Sequence, residues 1–292
     1  MHIENIAAHT AARQSPRKDQ SIGRMLLDMG KITQDDTAKV LAFQSEQGLR
    51  FGEAACRLGL VTESDVRAVL AGQFGYQYAQ PGQSRLDPSL VAALEPFGEQ
   101  AEMLRTLRGQ LMAAWFRDEC RTLAVVPVDA GAPAAAVAGN LAIVFAQQGQ
   151  RTVLVDANMR EPRQHELFHV TARTGLSDIL AGRSDDGHLL PVAPFDNLAL
   201  LCAGPQPPNP HELLGKPSFG ALNHELAHRY DIVVYDVPPL SSGADAYAVA
   251  QRARGVLLVV GRSTTRKSEL RELRSRMLRS GVEIVGAVLA DS

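Results

Sequence analysis

Two aspartates close runs of apolar residues, Asp156 at the end of TVLVD and Asp236 at the end of IVVYD. A carboxylate at the mouth of a buried strand either holds a cation or is tied up by N–H groups of the next loop. Arg160 and Arg163 follow the first aspartate, as phosphate holders or as solvated loop residues. Glu102, Arg105 and Arg108 recur every third residue in EMLRTLR and share one helix face, either as surface ion pairs or as an interface. Arg262 to Arg279 carries seven basic residues against Glu269 and Glu272, a solvated face or a contact for anionic lipid or an acidic partner. His165 and His169 have no evident third donor, and Cys56, Cys120 and Cys202 are far apart, so no metal set and no disulfide framework is expected.

The elements that must position these groups alternate. Strands are read at 122–127, 152–157, 198–203, 231–236, 255–260 and 282–290. Helices are read at 134–148, 211–229, 244–253 and 265–280. Strands apolar on both faces and separated by helices predict an α/β fold, a mostly parallel doubly wound sheet covered on both sides. Its ligands belong beyond the carboxyl ends of the strands. The uncharged stretch 130–150 has the length of a membrane span, but its Pro133, Asn140, Gln147 and Gln148 fit a buried helix better.

Ahead of this lies a duplication. Ser21–Gln44 aligns with Arg50–Gln73 at a constant period of 29 residues, matching Gly23 with Gly52, Gly30 with Gly59 and Thr33 with Thr62. Each copy reads as helix–turn–helix. The second glycine suits a left-handed helix end, and Thr33/Asp36 or Thr62/Asp65 forms a capping box. Val40, Leu41 and Phe43, with Val66, Val69 and Leu70, supply the buried face. The expected organisation is a disordered polar N-terminus (1–20), a small α-helical duplicated module (21–79), a Pro/Gly-rich linker (80–100) and the α/β domain (101–292).

Composition narrows the function. The 292 residues include 30 basic and 32 acidic ones and a single Trp, which argues against a dedicated nucleic-acid binder. No secretory signal opens the chain, and a reducing compartment is expected.

From about Glu102 to Leu289 the sequence resembles the bacterial tyrosine kinases of exopolysaccharide clusters, which use a P-loop ATPase fold. The resemblance rests on RTVLVDANMREPRQHELF (151–168), GLSDILAG (175–182), GPQPPNPHELL (204–214) and DIVVYDVPP (231–239). It implies that Asp156 and Asp236 are the family's acidic strand ends, which hold Mg²⁺ and activate a hydroxyl. It also implies that Glu102, Arg105 and Arg108 form a ring interface in a homo-oligomer. The duplicated module resembles amino-terminal modules of type II secretion and pilus ATPases, some of which bind cyclic di-GMP. Their repeat opens with Arg-Leu-Gly, matched by Arg50-Phe-Gly52 but not by Ser21-Ile-Gly23.

The phosphate-binding loop departs from the pattern GxxxxGK[ST]. In VPVDAGAPAAAVAGNLA (126–142) Gly131 is kept, whereas Pro133 replaces the second glycine, Ala134 the lysine and Ala135 the Ser/Thr. Proline has no N–H to donate, and the two alanines remove a cation and a metal ligand. Losing two or three charge-assisted bonds of roughly 1.5–3 kcal/mol weakens ATP binding about 10³-fold or more. Asn158 replaces a second acidic residue of the family, Ala290 replaces its adenine-reading asparagine, and no tyrosine-rich tail follows.

The expectation is a catalytically degenerate, tyrosine-kinase-like regulatory or scaffolding subunit of exopolysaccharide chain-length control. No bound cofactor is expected, or ATP and Mg²⁺ if the family activity is retained. The expected partner is the cytoplasmic part of a membrane chain-length-determinant protein, with the chain cytoplasmic and peripheral to the inner membrane. The alternatives are an active ATP-dependent tyrosine autokinase and a cyclic di-GMP-responsive regulator acting through Arg50.

Overall fold

In the duplicated region each copy contributes two helices: α1 (Ile22–Asp28) and α2 (Gln34–Gln47), then α3 (Phe51–Arg57) and α4 (Glu63–Gln73). Both capping boxes form. Thr33 Oγ1 accepts from Asp36 N at 3.1 Å while Asp36 Oδ2 accepts from Thr33 N at 3.0 Å. Thr62 and Asp65 repeat this at 3.1 and 2.9 Å. Gly30 and Gly59 turn the chain at φ 67° and 68°, where a Cβ would be strained. Gly23 and Gly52 matter for a different reason. A Cβ on Gly23 would meet the Phe51 ring at 2.8 Å, and one on Gly52 would meet Val66 at 2.7 Å. Val40 and Val69 are buried as expected, but Leu41 is turned outward.

These observations come from a computed structural model that describes residues 21–73, 77–79, 84–117, 120–183, 189–262, 265 and 267–290. The expected disordered segment 1–20 lies outside the described residues. The chain divides into two compact units after Gln77.

The second unit begins with α5 (Val91–Leu94) and α6 (Glu99–Ala114), and then alternates: β1 (Thr122–Pro127), α7 (Ala134–Gln147), β2 (Thr152–Asp156), α8 (Gln164–Leu167), α9 (Leu176–Leu180), β3 (Leu190–Val192), β4 (Phe195–Leu201), α10 (Pro210–Leu214), α11 (Pro217–Arg229), β5 (Ile232–Asp236), α12 (Asp245–Ala253), β6 (Gly255–Gly261), α13 (Lys267–Arg279) and β7 (Glu283–Ala290). Among the described residues the sheet order is β3-β4-β2-β5-β1-β6-β7, parallel except for β3 against β4. Strand side chains alternate between two cores. Leu123, Val125, Leu154 and Val234 face α7, while Ala124, Val126, Val155 and Tyr235 face the layer of α11 and α12. The uncharged stretch is α7, buried almost throughout. Among the described residues no helix is long and apolar enough to cross a membrane.

Two readings change. The helix expected over 211–229 is two helices, because Pro217 cannot donate to the preceding turn and starts a new one. The linker expected over 80–100 is, from residue 84 on, part of the second unit. Leu90, Ala92 and Ala93 are fully buried. The buried Asn140 of α7 fastens them. Its Oδ1 accepts from Ala92 N at 2.8 Å and its Nδ2 donates to Ser89 O at 2.7 Å.

Asn140→Ala leaves a buried N–H and a half-buried carbonyl without their side-chain partner, each costing about 1–3 kcal/mol. Urea unfolding should show a loss of about 3 kcal/mol. A loss below about 1 kcal/mol would mean that the segment is not held this way.

Candidate functional site

The chain crosses from β1 to β2 on one side and from β5 to β6 on the other, so the carboxyl ends of β1, β2 and β5 open onto one crevice. β2 and β5 are neighbours in a register that sets Asp156 opposite Asp236, both buried. Asp156 accepts from the backbone N–H groups of Asn158 (3.2 Å), Arg163 (3.1 Å) and Gln164 (3.0 Å). Asp236 Oδ2 accepts from Gln164 Nε2 at 2.7 Å, and the same nitrogen donates to Ala135 O at 2.9 Å. Burial pushes the carboxyl of Asp156 well above the usual range, and the facing Asp236 adds to this. Burial also raises Asp236, while the Gln164 amide and Arg163 pull it back. Two acids so placed hold one proton more readily than none.

Gln164 is the residue that sequence reasoning passed over. It lies in the stretch 151–168, but only tertiary packing brings its amide between the second aspartate and the first turn of α7.

The loop between β1 and α7 is bonded to itself. Asp129 Oδ1 accepts from Gly131 N at 3.1 Å, and the Thr265 hydroxyl donates to Asp129 Oδ2. Ala134 N donates to Ala132 O at 2.8 Å. Pro133 stands at the N-cap of α7 without a side-chain cap, followed by the methyl groups of Ala134 and Ala135. The four residues singled out, Gly131, Pro133, Ala134 and Ala135, therefore lie together beside the aspartates. Three of the N–H groups in this stretch, those of Gly131, Ala132 and Ala134, are already engaged.

The nearby arginines are also paired. Arg160 Nε donates to Asp245 Oδ2 at 2.6 Å, at the start of α12, and Arg163 pairs with Glu166 at 2.8 Å. Asn158 Oδ1 accepts from Glu161 N. Ala290 ends β7, its carbonyl accepting from Arg262 N. Among the described residues no three His, Cys, Asp or Glu side chains gather as a metal set.

Glu102, Arg105 and Arg108 share one side of α6, as the spacing requires. Arg105 bonds Glu102 at 2.8 Å and the Pro96 carbonyl, and Arg108 Nη1 donates to the Val144 carbonyl at 2.8 Å. Both guanidinium groups are thus turned into their own chain, and Glu102 is the exposed member. Arg50 is exposed at the N-cap of α3 and makes no capping bond. On α13, Leu273 and Met277 are buried, while Arg271, Arg274, Arg276 and Arg279 are exposed.

Comparison with known proteins gives relatives over about two thirds of the chain. The chain is 30% identical over 206 residues to tyrosine-protein kinase YwqD of Bacillus subtilis (strain 168), covering 70% of this chain and 87% of the relative. It is 29% identical over 195 residues to the putative tyrosine-protein kinase CapB of Staphylococcus aureus, covering 67% and 86%. The kinase domain of the Escherichia coli tyrosine kinase ETK matches with a TM-score of 0.66 at 28% identity, over 75% of this chain and 85% of that one. No family model matches the chain.

The aspartate pair makes stability depend on pH. Because the folded-state carboxyls are raised, their contribution is complete at low pH and is lost as pH rises from the ordinary carboxylate range through neutrality. Asp236→Asn keeps an acceptor for Gln164 and removes the titration of Asp236 itself, leaving that of the buried Asp156. The variant should exceed wild type by about 1–3 kcal/mol near pH 8, with the gap closing towards about pH 4.5. Parallel melting curves against pH would contradict this.

Proposed function

Because the chain belongs to the bacterial tyrosine-protein kinases and carries their P-loop NTPase-like fold, we propose that it is a member without phosphoryl transfer. It would serve as a regulatory or scaffolding subunit in exopolysaccharide chain-length control. One observation carries this reading: the loop where a nucleotide's phosphates would lie has no lysine and no metal-binding hydroxyl, and its N–H groups bond to its own Asp129 and Ala132. The residues present do not fit ATP and Mg²⁺. Pro133 offers no donor, Ala134 no charge and Ala135 no oxygen, and the Gln164 amide takes up Asp236. Asp156 and Asp236 are then retained as parts of the scaffold.

The partner of such a subunit is the cytoplasmic part of a membrane chain-length-determinant protein. Docking needs a surface rather than a phosphate loop, so it survives the loss of the loop. The exposed arginines of α13 suit a membrane-proximal setting, since each basic residue near anionic lipid contributes about 1 kcal/mol. Glu102 is the member of its trio best placed to meet a second copy, because the two arginines already serve their own chain.

Calorimetry with ATP and Mg²⁺ should show no saturable binding below about 1 mM, as expected from a loss of two or three strong bonds. Ala134→Lys alone should not restore it, because Pro133 still lacks a donor. A micromolar dissociation constant for wild type would overturn the proposal.

Cell fractionation tests the partner. The protein should reach the membrane fraction only when the chain-length-determinant protein is present, and less so at high salt. Membrane binding in its absence, or none in its presence, would remove the scaffold reading.

A further inference from the structure

The opposite end of the sheet carries a second cluster. Arg121 immediately precedes β1, Arg151 precedes β2 and Asp231 precedes β5, the strand between them. Backbone bonds fix this spacing: Asp231 N and Ile232 N donate to Arg151 O, and Val233 N donates to Arg121 O. Asp231 orients both guanidinium groups. Arg151 Nη2 lies 2.8 Å from Oδ1 and Nε 3.2 Å from Oδ2, while Arg121 Nη1 is 3.6 Å from Oδ1. The Arg121 and Arg151 side chains remain 43% and 59% exposed, and each guanidinium carries five N–H donors. One helical turn apart on α11, His224 and His228 stack their rings at 4.8 Å and complete the wall of a pocket of about 460 Å³. Tyr230 lines it as well.

We propose that this pocket is a binding site for a phosphate-bearing anion. Two guanidinium groups against one carboxylate leave net positive charge, which disfavours a metal ion on the histidine pair and favours an anion. Neighbouring strands are about 4.8 Å apart, so arginines rooted on β1 and β2 approach from backbones roughly 10 Å apart and converge on Asp231. A phosphate or pyrophosphate group, with several oxygens around one centre, can accept from both forks at once, and the imidazoles add donors from α11. Because the sheet and Asp231 already hold the forks, little side-chain order is lost on binding. Asp231 and Asp236 stand at opposite ends of β5, roughly 16 Å apart along the strand. The site is therefore separate from the aspartate crevice and goes beyond the proposed function.

The test is pyrophosphate titration of the full chain, followed by the imidazole resonances of His224 and His228 and by calorimetry. Vesicles containing phosphatidic acid present the same group on a lipid and show which source the site takes. Saturable binding of either probe is expected, weakened about tenfold by Arg151→Gln and by Arg121→Gln, and about threefold by the double change His224→Gln/His228→Gln. Asp236→Asn should leave it unchanged. Should Arg151→Gln fail to fold, Arg121→Gln and the exposed histidine pair still decide. No saturable binding of either probe at about 10 mM phosphate groups, or binding that these variants leave intact, would overturn the assignment.

Discussion

Setting two carboxylates side by side at the ends of adjacent buried strands is the constraint on which this end of the molecule is organised. Ordinary burial of such a pair is unfavourable, because each acid raises the cost of ionising the other. The structure answers with donors from one short stretch. The loop after β2 folds back so that Asn158, Arg163 and Gln164 give their N–H groups to Asp156, and the Gln164 side chain reaches across to Asp236. The same amide touches the Ala135 carbonyl, so one side chain couples β2, β5 and the start of α7. Much of the local geometry follows from satisfying these acids.

On the proposed reading, the loop ahead of α7 shows how a binding fold is kept after its ligand is given up. Exposed donors would favour an anion, but here Asp129 accepts from Gly131 and Ala132 accepts from Ala134. The interactions that an external phosphate would otherwise supply are made inside the loop. The core beneath is closely packed: β1 and α7 share one buried cluster, with Ala138, Leu141 and Phe145 fully buried.

Legibility in the sequence tracks the range of the interactions. The apolar runs that became β1, β2, β5 and β6, and the capping boxes at Thr33 and Thr62, are local patterns and were readable residue by residue. The crevice aspartates were readable because a charge at the end of an apolar run is conspicuous. Gln164 was not, since nothing in its neighbourhood distinguishes it from a surface glutamine until β5 and α7 are brought to it. Asp245 escaped for the same reason, its meaning lying in Arg160, 85 residues away in the chain. Strand β3 is three residues with a proline at its centre, too short for alternation to register. The segment after residue 84 read as a linker because its prolines and glycines outweigh the buried Leu90, Ala92 and Ala93, and because Asn140, which fastens the segment through Ser89 and Ala92, lies about fifty positions downstream.

That last contact bears on how such a chain can be assembled from parts. The duplicated module is a self-contained unit with its own core of Leu26, Val40, Ala54 and Val69. The natural seam for exchanging it with another module lies near Gln77, not at the start of α6, where the alternating pattern begins. A recombination joint placed at residue 100 would strip Leu90, Ala92 and Ala93 from α7 and leave Asn140 facing an open apolar surface. Modules are therefore interchangeable only if the segment that begins near Tyr78 travels with the α/β unit, so heritable shuffling is confined to a narrow stretch of chain.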